Sequence, residues 1–164
     1  MIRVSFVVDG LARHYYQAEL LLLSLTTFGK VPREHILVQC TTRVDTEFLH
    51  FLEAQGYRHR TIEPYLDGKY CNKLRQPDAF LGEAIEGVFL LDADMFVLEP
   101  MVPARTDVFC AKVVDLPNPP LAVLQRIFEA AQVPLPPELP TDAMVPGGMT
   151  ISGNFNGGCY YIPA

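Results

Sequence analysis

The sequence has few cysteines and no apolar run long enough to cross a membrane. The cysteines are Cys40, Cys71, Cys110 and Cys159. They are widely separated and form no Cys-x-x-Cys pair, so the ligand spacing of structural zinc sites is absent. The longest apolar stretch, residues 18–25, is too short for a transmembrane helix. No secretory signal precedes the first apolar segment, and we therefore expect a cytoplasmic protein with no transmembrane segment.

Basic residues are also scarce. Thirteen lysines and arginines stand against nineteen acidic residues, which gives a net charge of −6. This balance argues against nucleic acid or an anionic membrane surface as a partner. With 164 residues, 49% of them hydrophobic, the chain is long enough to bury the core of one globular domain spanning 1–164.

Strand and helix patterns alternate through the first half of the sequence. Short runs rich in branched and aromatic residues predict strands at 2–8, 36–40, 57–62, 88–91, 96–98, 108–114 and 158–162. Apolar residues at helical spacing predict helices at 15–28, 45–55 and 121–131, with a short helix near 72–81. This alternation favours an α/β fold, an open Rossmann-like and mostly parallel sheet with helices on both faces.

The second half is rich in proline. Ten of the fourteen prolines fall between Pro100 and Pro146, which predicts an irregular region over about 115–150. Within it we expect no regular structure at 134–140, and 132–150 is interpreted either as a surface loop bordering a site or as a plain linker. Because the sequence stops at the end of a predicted strand, we expect a fold that is truncated at its C-terminus.

The segment Asp92-Ala93-Asp94 is the most informative motif. It follows the predicted buried strand 88–91, and the two acids are spaced so that both could face one point. Carboxylates placed between buried strands need a positive partner. Oxygen ligands favour Mg²⁺ or Mn²⁺ over zinc. The alternative is a pair of acids at a solvated turn.

Three separated segments resemble the nucleotide-sugar glycosyltransferases of the GT-A fold. They are the opening strand with Asp9-Gly10 and Tyr15-Tyr16, then Asn72-Lys73-Leu74-Arg75 leading into a "LLDAD" strand, and finally Phe155-Asn156-Gly157-Gly158. Their order and spacing are similar to those of glycosyltransferase family 8, which includes glycogenin and bacterial galactosyltransferases. The resemblance implies a metal-dependent hexosyltransferase that uses a nucleotide-sugar donor, UDP-sugar in particular, and retains the anomeric configuration. The acceptor could be a carbohydrate, a protein or a lipid.

The resemblance also implies roles for individual residues. Asp92 and Asp94 would bind Mn²⁺ or Mg²⁺, and the metal and donor would lie beside Ala93. The donor's base and phosphates would be contacted by residues matching the first two segments, namely Val8, Asp9, Tyr15, Tyr16 and Lys73. Asn156 and Gly157 would face the donor sugar, and Asp115 would contact its hydroxyl groups, so that Asp115 and Asn156 are the catalytic candidates.

The sequence departs from the family in one respect that matters for activity. Family members complete the metal shell with a histidine near the C-terminus, whereas all four histidines of this chain precede Asp92. A nucleotide-sugar-binding chain without catalysis therefore stays open as an alternative. A phosphatase that uses Asp92 as nucleophile is a further one. The glycine- and arginine-rich phosphate loop of sugar nucleotidyltransferases is missing after the first strand.

Overall fold

The computed structural model describes residues 1–141 and 146–164. These residues form two compact units, Met1–Cys110 together with Gly158–Ala164, and Ala111–Gly157. We call them the first unit and the second unit. No helix among the described residues has both the length and the apolarity that crossing a bilayer requires.

The elements alternate along the chain much as the sequence predicts. The helices are α1 (Ala12–Thr27), α2 (Thr46–Ala54) and α3 (Leu121–Ala130), and short 3-10 helices lie at Arg33–His35, Tyr70–Arg75 and Pro77–Phe80. The strands are β1 (Ile2–Val8), β2 (Ile36–Thr41), β3 (Arg58–Ile62), β4 (Gly87–Leu91), β5 (Cys110–Val113), β6 (Glu138–Pro140), β7 (Met149–Ile151) and β8 (Phe155–Pro163).

The main sheet has six strands in the order β3-β2-β1-β4-β8-β5. Strand β1 is parallel to both β2 and β4, and β2 is parallel to β3. Strand β8, on the other side of β4, runs antiparallel to β4. The prediction of a mostly parallel α/β sheet is therefore confirmed.

The apolar residues of the first unit divide between the two faces of the sheet because side chains alternate along a strand. One face carries Val4, Phe6 and Val8 of β1, which pack with helices α1 and α2 in the larger hydrophobic cluster. The opposite face carries a smaller cluster that includes Val88, Leu90 and Phe80. Phe80 belongs to a 3-10 helix, so short helical turns cover the face that α1 and α2 leave open.

Local signals explain where α2 begins and ends. The Asp45 carboxylate accepts a hydrogen bond of 2.9 Å from the backbone N–H of Phe48, which satisfies one of the free amides at the helix start. Gly56, with φ of 75°, follows the helix in the left-handed conformation that glycine adopts readily. Phe48 and Leu52 are the buried residues of this helix.

Two predictions about individual segments are wrong. Residues 96–98 form no strand, because the chain turns after Asp92 and the Val97 N–H donates to Ser24 Oγ at 3.1 Å rather than to a neighbouring strand. The proline-rich segment does contain regular structure, since Glu138–Pro140 pairs with Met149–Ile151 in a separate two-stranded sheet. Proline is tolerated there because a strand at the edge of a sheet needs fewer amide donors.

The remaining segments follow the sequence with small changes. The helix expected near 72–81 is replaced by two 3-10 helices that meet at Gln76, beside Pro77. A 3-10 turn suits a segment that proline interrupts, because each of its hydrogen bonds spans fewer residues. Part of the expected loop 132–150, residues 142–145, lies outside the described residues.

Candidate functional site

The first unit contains a cleft at the carboxyl ends of β1 and β4. It encloses about 430 Å³ and is bordered by the first turn of α1 and by the 3-10 helix Tyr70–Arg75. Its lining residues are Val7, Asp9, Leu11, Arg13, His14, Gln17, Lys69, Tyr70, Asn72, Lys73, Gln76, Leu91, Asp92, Ala93 and Asp94. Ligands of open α/β sheets bind in crevices at this end of the strands.

Asp92, Ala93 and Asp94 form a turn directly after β4, and all three line the cleft. The turn is closed by a hydrogen bond of 3.3 Å from the Met95 N–H to the Asp92 carbonyl. The Asp92 N–H in turn donates to the carbonyl of Gly158 at 2.9 Å, which holds the turn against β8. The two aspartates thus line the same cleft from a turn and not from an extended strand.

Lys73 lies opposite Asp92, and its ammonium group forms an ion pair with Asp92 Oδ1. Its 3-10 helix is anchored by Asn72, which is 2% exposed and whose Oδ1 accepts a hydrogen bond from the Tyr65 N–H at 2.8 Å. The position of Lys73 therefore depends on a buried polar contact rather than on a mobile surface loop. A positive charge is placed beside the first aspartate.

Asp9, at the end of β1, has its Oδ1 surrounded by hydrogen-bond donors. Oδ1 accepts from Thr41 Oγ1 at 2.6 Å, from the Gly10 N–H at 3.0 Å and from Arg43 Nε at 2.8 Å. Partial burial acts to raise the pKa of Asp9, but the hydrogen bonds from Thr41 and Gly10 and the charge of Arg43 outweigh it and hold the pKa below its ordinary value. Asp9 is thus kept ionised at the cleft wall.

Gly10 is required by a close approach of the backbone. A Cβ atom at this position would lie 2.0 Å from the carbonyl oxygen of Arg43, which is far inside van der Waals contact. The turn after β1 can therefore pass close to the turn after β2 only when residue 10 has no side chain. This contact brings Arg43 to Asp9.

The other residues predicted to surround the base lie outside the cleft lining. Val8 is fully buried in the larger hydrophobic cluster. The Tyr15 ring stacks on Phe48 with 4.7 Å between ring centroids, and its hydroxyl accepts from the Asp45 N–H at 3.0 Å. Burial, as the largest cause, raises the pKa of Tyr15. Tyr16 is 65% exposed.

The residues predicted to contact the donor sugar belong to the second unit. Asn156 Nδ2 donates to Asp115 Oδ2 at 2.7 Å, and Lys112 forms an ion pair with Asp115 Oδ1. Gly157 follows Asn156 in β8. The structure thus brings Asp115 and Asn156 together, although 41 positions separate them in the sequence.

The donor set of the cleft fits a hard divalent cation. Asp92 and Asp94 offer carboxylate oxygens to one cleft, and Mg²⁺ is commonly held by one or two carboxylates while water and phosphate complete its shell. Within residues 1–141 and 146–164, no three histidine, cysteine, aspartate or glutamate side chains form a metal-binding group. This part of the chain therefore supplies fewer protein ligands than a metal site in which the protein alone completes the coordination shell.

Sequence reasoning missed Arg43, which contacts the cleft residue Asp9 without lining the cleft itself, and two residues of the lining, His14 and Gln76. Arg43 follows β2 and lies at the same sheet edge as Asp9, so the position of strand ends could have indicated it. His14, whose Nδ1 lies 3.2 Å from the Asp9 carbonyl oxygen, also lines the cleft. No local pattern marks Gln76, because only the folded 3-10 segment places it there.

Comparison with known proteins identifies the fold. No protein-family model matches the sequence, and no curated protein matches it. Among solved structures, galactosyltransferase LgtC in complex with donor and acceptor sugar analogues has a TM-score of 0.57 and 15% identity, covering 99% of this chain and 58% of that one. Mouse xyloside xylosyltransferase 1 has a TM-score of 0.50 and 13% identity, covering 99% of this chain and 67% of that one.

A third similar structure is the glycosyltransferase GlyE of Streptococcus pneumoniae, with a TM-score of 0.48 and 16% identity, covering 99% of this chain and 34% of that one. The chain has the GT-A fold that it shares with the galactosyltransferase LgtC. It spans 58% of the length of the galactosyltransferase LgtC.

Proposed function

We propose that this chain is the donor-binding part of a glycosyltransferase that transfers a sugar from a nucleoside diphosphate, UDP in particular. The observation that carries the proposal is the convergence of Asp92, Asp94 and Lys73 on one cleft at the carboxyl end of a GT-A-type sheet. Asp92 and Asp94 are suited to hold a divalent cation, and Lys73 lies beside them. The cation and the lysine would both carry positive charge toward a negatively charged diphosphate ester. Phosphate groups bind both metal ions and ammonium groups.

The proposed chemistry assigns separate tasks to these side chains. Asp92 and Asp94 would hold Mn²⁺ or Mg²⁺, which when bound supplies Lewis-acid stabilisation of the charge that develops on the leaving diphosphate. Lys73 would donate hydrogen bonds to a phosphate oxygen, which requires it to leave its ion pair with Asp92. That exchange is favourable when the bound cation replaces Lys73 as the positive partner of the Asp92 carboxylate.

Basic groups elsewhere in the cleft support a polyanionic ligand. Arg13 and Lys69 line it together with Lys73, and these three side chains balance the charges of Asp9, Asp92 and Asp94 in the same lining, although the protein as a whole carries a net charge of −6. A divalent cation bound in this cleft would make it positive, which favours a polyanionic ligand at that place. By resemblance, Asp115 and Asn156 would contact the transferred sugar, and the transfer would retain the anomeric configuration.

Binding of UDP provides the first test. We expect isothermal titration calorimetry to show UDP binding that requires Mn²⁺ or Mg²⁺ and disappears with a chelator. Asp92→Asn and Asp94→Asn should each remove the metal-dependent part, whereas Asp107→Asn should not. Asp107 is an exposed aspartate paired with Arg105 and does not line the cleft, so it controls for the loss of one negative charge.

Lys73→Met tests the phosphate contact. A hydrogen bond to a charged group contributes about 1.5–3 kcal/mol, so we expect UDP affinity to fall by about 10- to 100-fold. Uridine, which has no phosphate, should lose nothing. Lys30→Met serves as the matched control, because Lys30 is exposed and does not line the cleft.

Turnover separates the remaining alternatives. Transfer or hydrolysis of a UDP-sugar, with the product anomer identified by NMR, would support the transferase and decide between retention and inversion. Tight UDP-sugar binding without turnover would identify a binding chain without catalysis. Metal-dependent release of phosphate from a simple ester, without UDP binding, would contradict the proposal and favour the phosphatase.

A further inference from the structure

Tyr70 is an aromatic residue left open to solvent in a cleft whose lining is otherwise mostly polar. It lines the cleft, and 81% of its surface is exposed. The rest of the protein therefore covers its ring very little. Aromatic side chains in a ligand cleft supply flat apolar faces against which a ligand packs.

The backbone that carries Tyr70 is fixed in spite of this exposure. Asp67 Oδ1 accepts hydrogen bonds of 2.9 Å from the N–H groups of Lys69 and Cys71, the residues on either side. The buried side chain of Asn72 anchors the same 3-10 helix. The ring can therefore move only about its own side-chain bonds, which limits the entropy that is lost when a ligand packs against it.

The spacing of residues along this 3-10 helix indicates where the Tyr70 ring points. Side chains three residues apart in a 3-10 helix lie on the same side, and Tyr70 is three residues before Lys73. The ammonium group of Lys73 reaches Asp92 in the cleft. The Tyr70 side chain therefore leaves the helix toward the same cleft, about 6 Å from Lys73 along the helix axis.

Two contacts fix which part of the cleft the aromatic ring borders. The carbonyl of Gly68, two residues before the ring, accepts a hydrogen bond from Arg43, and Arg43 is paired with Asp9 after β1. Lys73 is instead paired with Asp92 after β4. The ring therefore borders the part of the cleft near β1, and the lysine borders the part near β4.

A second exposed apolar side chain belongs to the β1 part of the cleft. Leu11 lines the cleft, is 48% exposed, and donates its N–H to the Asp9 carbonyl at 2.8 Å. Tyr70 and Leu11 are the large hydrophobic residues of the lining that are exposed. Apolar surface at one end of a polar cleft favours a ligand with a flat apolar group at that end, and a nucleobase has this character.

We propose that the nucleobase of the ligand stacks on the ring of Tyr70. This assignment rests on the proposed function, because it takes the diphosphate to lie between Lys73 and the metal-binding aspartates, with the ribose between the lysine and the ring. The stacking residue then comes from the 3-10 helix and not from α1, whose Tyr15 ring is stacked on Phe48. Since every base has a π face, Tyr70 contributes affinity for the nucleotide without selecting its base.

Calorimetry in the presence of Mn²⁺ tests the assignment with two probes, UDP and ribose 5-diphosphate, which has the sugar and phosphates but no base. We expect Tyr70→Ala to weaken UDP binding by about 5- to 100-fold and ribose 5-diphosphate binding by less than about 2-fold. Tyr70→Phe, which keeps the ring, should bind both probes like wild type. Leu81→Ala is the matched control, because Leu81 is 80% exposed and does not line the cleft.

Fluorescence provides a readout that a shift of the 3-10 helix would not imitate. The chain contains no tryptophan, so Tyr70→Trp places a single reporter at the proposed stacking position, and Leu81→Trp places one outside the cleft. UDP with Mn²⁺ should quench the emission of Tyr70→Trp, because the base stacks on the indole ring. Ribose 5-diphosphate with Mn²⁺ should leave it unchanged, and Leu81→Trp should respond to neither probe.

Other outcomes would overturn the assignment. Equal UDP affinity of wild type and Tyr70→Ala, or emission of Tyr70→Trp that UDP leaves unchanged, would remove the stacking contact and leave the proposed function intact, provided Asp92→Asn still abolishes metal-dependent binding. An equal loss of affinity for both probes in Tyr70→Ala would show that the ring only positions the helix. Absence of metal-dependent UDP binding by wild type would overturn the proposed function and this assignment together.

Discussion

Replacing Thr41 by valine should reveal how much the hydrogen bond from Thr41 to the ionised carboxylate of Asp9 contributes to the stability of the protein. Thr41 is 1% exposed, and its hydroxyl donates to Asp9 Oδ1 at 2.6 Å. It also accepts from the Arg43 N–H at 3.4 Å. Valine keeps the shape of threonine but provides neither contact. A hydrogen bond to a charged group contributes about 1.5–3 kcal/mol, and we expect the free energy of unfolding to fall by about that amount at pH 7.

The effect should depend on pH in a defined direction. The pKa of Asp9 in the folded protein lies below its ordinary value of 3.8. A carboxyl group whose pKa is depressed by folding contributes stability above the unfolded pKa and loses that contribution as the pH falls through the folded pKa. The difference between wild type and Thr41→Val should therefore be full at pH 7 and shrink below pH 3.8.

Urea unfolding, followed by circular dichroism at pH 7 and at pH 3, measures this difference. Thr61→Val, in the exposed part of β3, is the control and should change the unfolding free energy by less than about 0.5 kcal/mol at either pH. A loss for Thr41→Val that is as small as the control's would refute the reasoning. A loss of the same size at both pH values would also refute it, since the carboxylate would then not be the group responsible.

Three further predictions concern backbone, core and thiol. Gly10→Ala should force the turn carrying Arg43 to shift, because the new Cβ would lie 2.0 Å from its carbonyl oxygen; we expect a loss of about 1–3 kcal/mol by urea unfolding and weaker UDP binding. Leu21→Ala, at a fully buried position, should cost about 2–5 kcal/mol with no specific effect on ligand selectivity. Burial raises the pKa of Cys40 to about 12, so in the native protein at pH 8 a thiol reagent should modify the half-buried Cys71 well before Cys40.

Periodicity was sufficient for most elements of the first unit. Strand β1 lies at the residues that the sequence predicts, and α2 begins after Asp45 and ends before Gly56, as its capping residues indicate. These elements are predictable because their buried residues recur at a regular spacing along the chain, and because local hydrogen bonds fix the ends of the helix. Asp92 and Asp94 also stand out in the sequence, since both follow a short apolar run that predicts a buried strand.

Predictions failed where non-local contacts decide the structure. Residues 96–98 have the composition of a strand, but no strand in the described part of the chain pairs with them, and the Val97 N–H donates to Ser24 Oγ. Glu138–Pro140 has the composition of a loop, yet it gains a partner strand from residues 149–151. In both cases the availability of a hydrogen-bonding partner outweighs local propensity.

The sequence by itself determined the α/β alternation, the buried strands and the pair of acids after β4, because each of these features depends on residues that are close together in the chain. Only the tertiary structure brought Arg43 to Asp9, Lys73 to Asp92 and Asn156 to Asp115. These pairs are separated by 34, 19 and 41 positions, so no local pattern encodes them. They form because the sheet order and the turns that follow each strand bring distant segments within reach of one another.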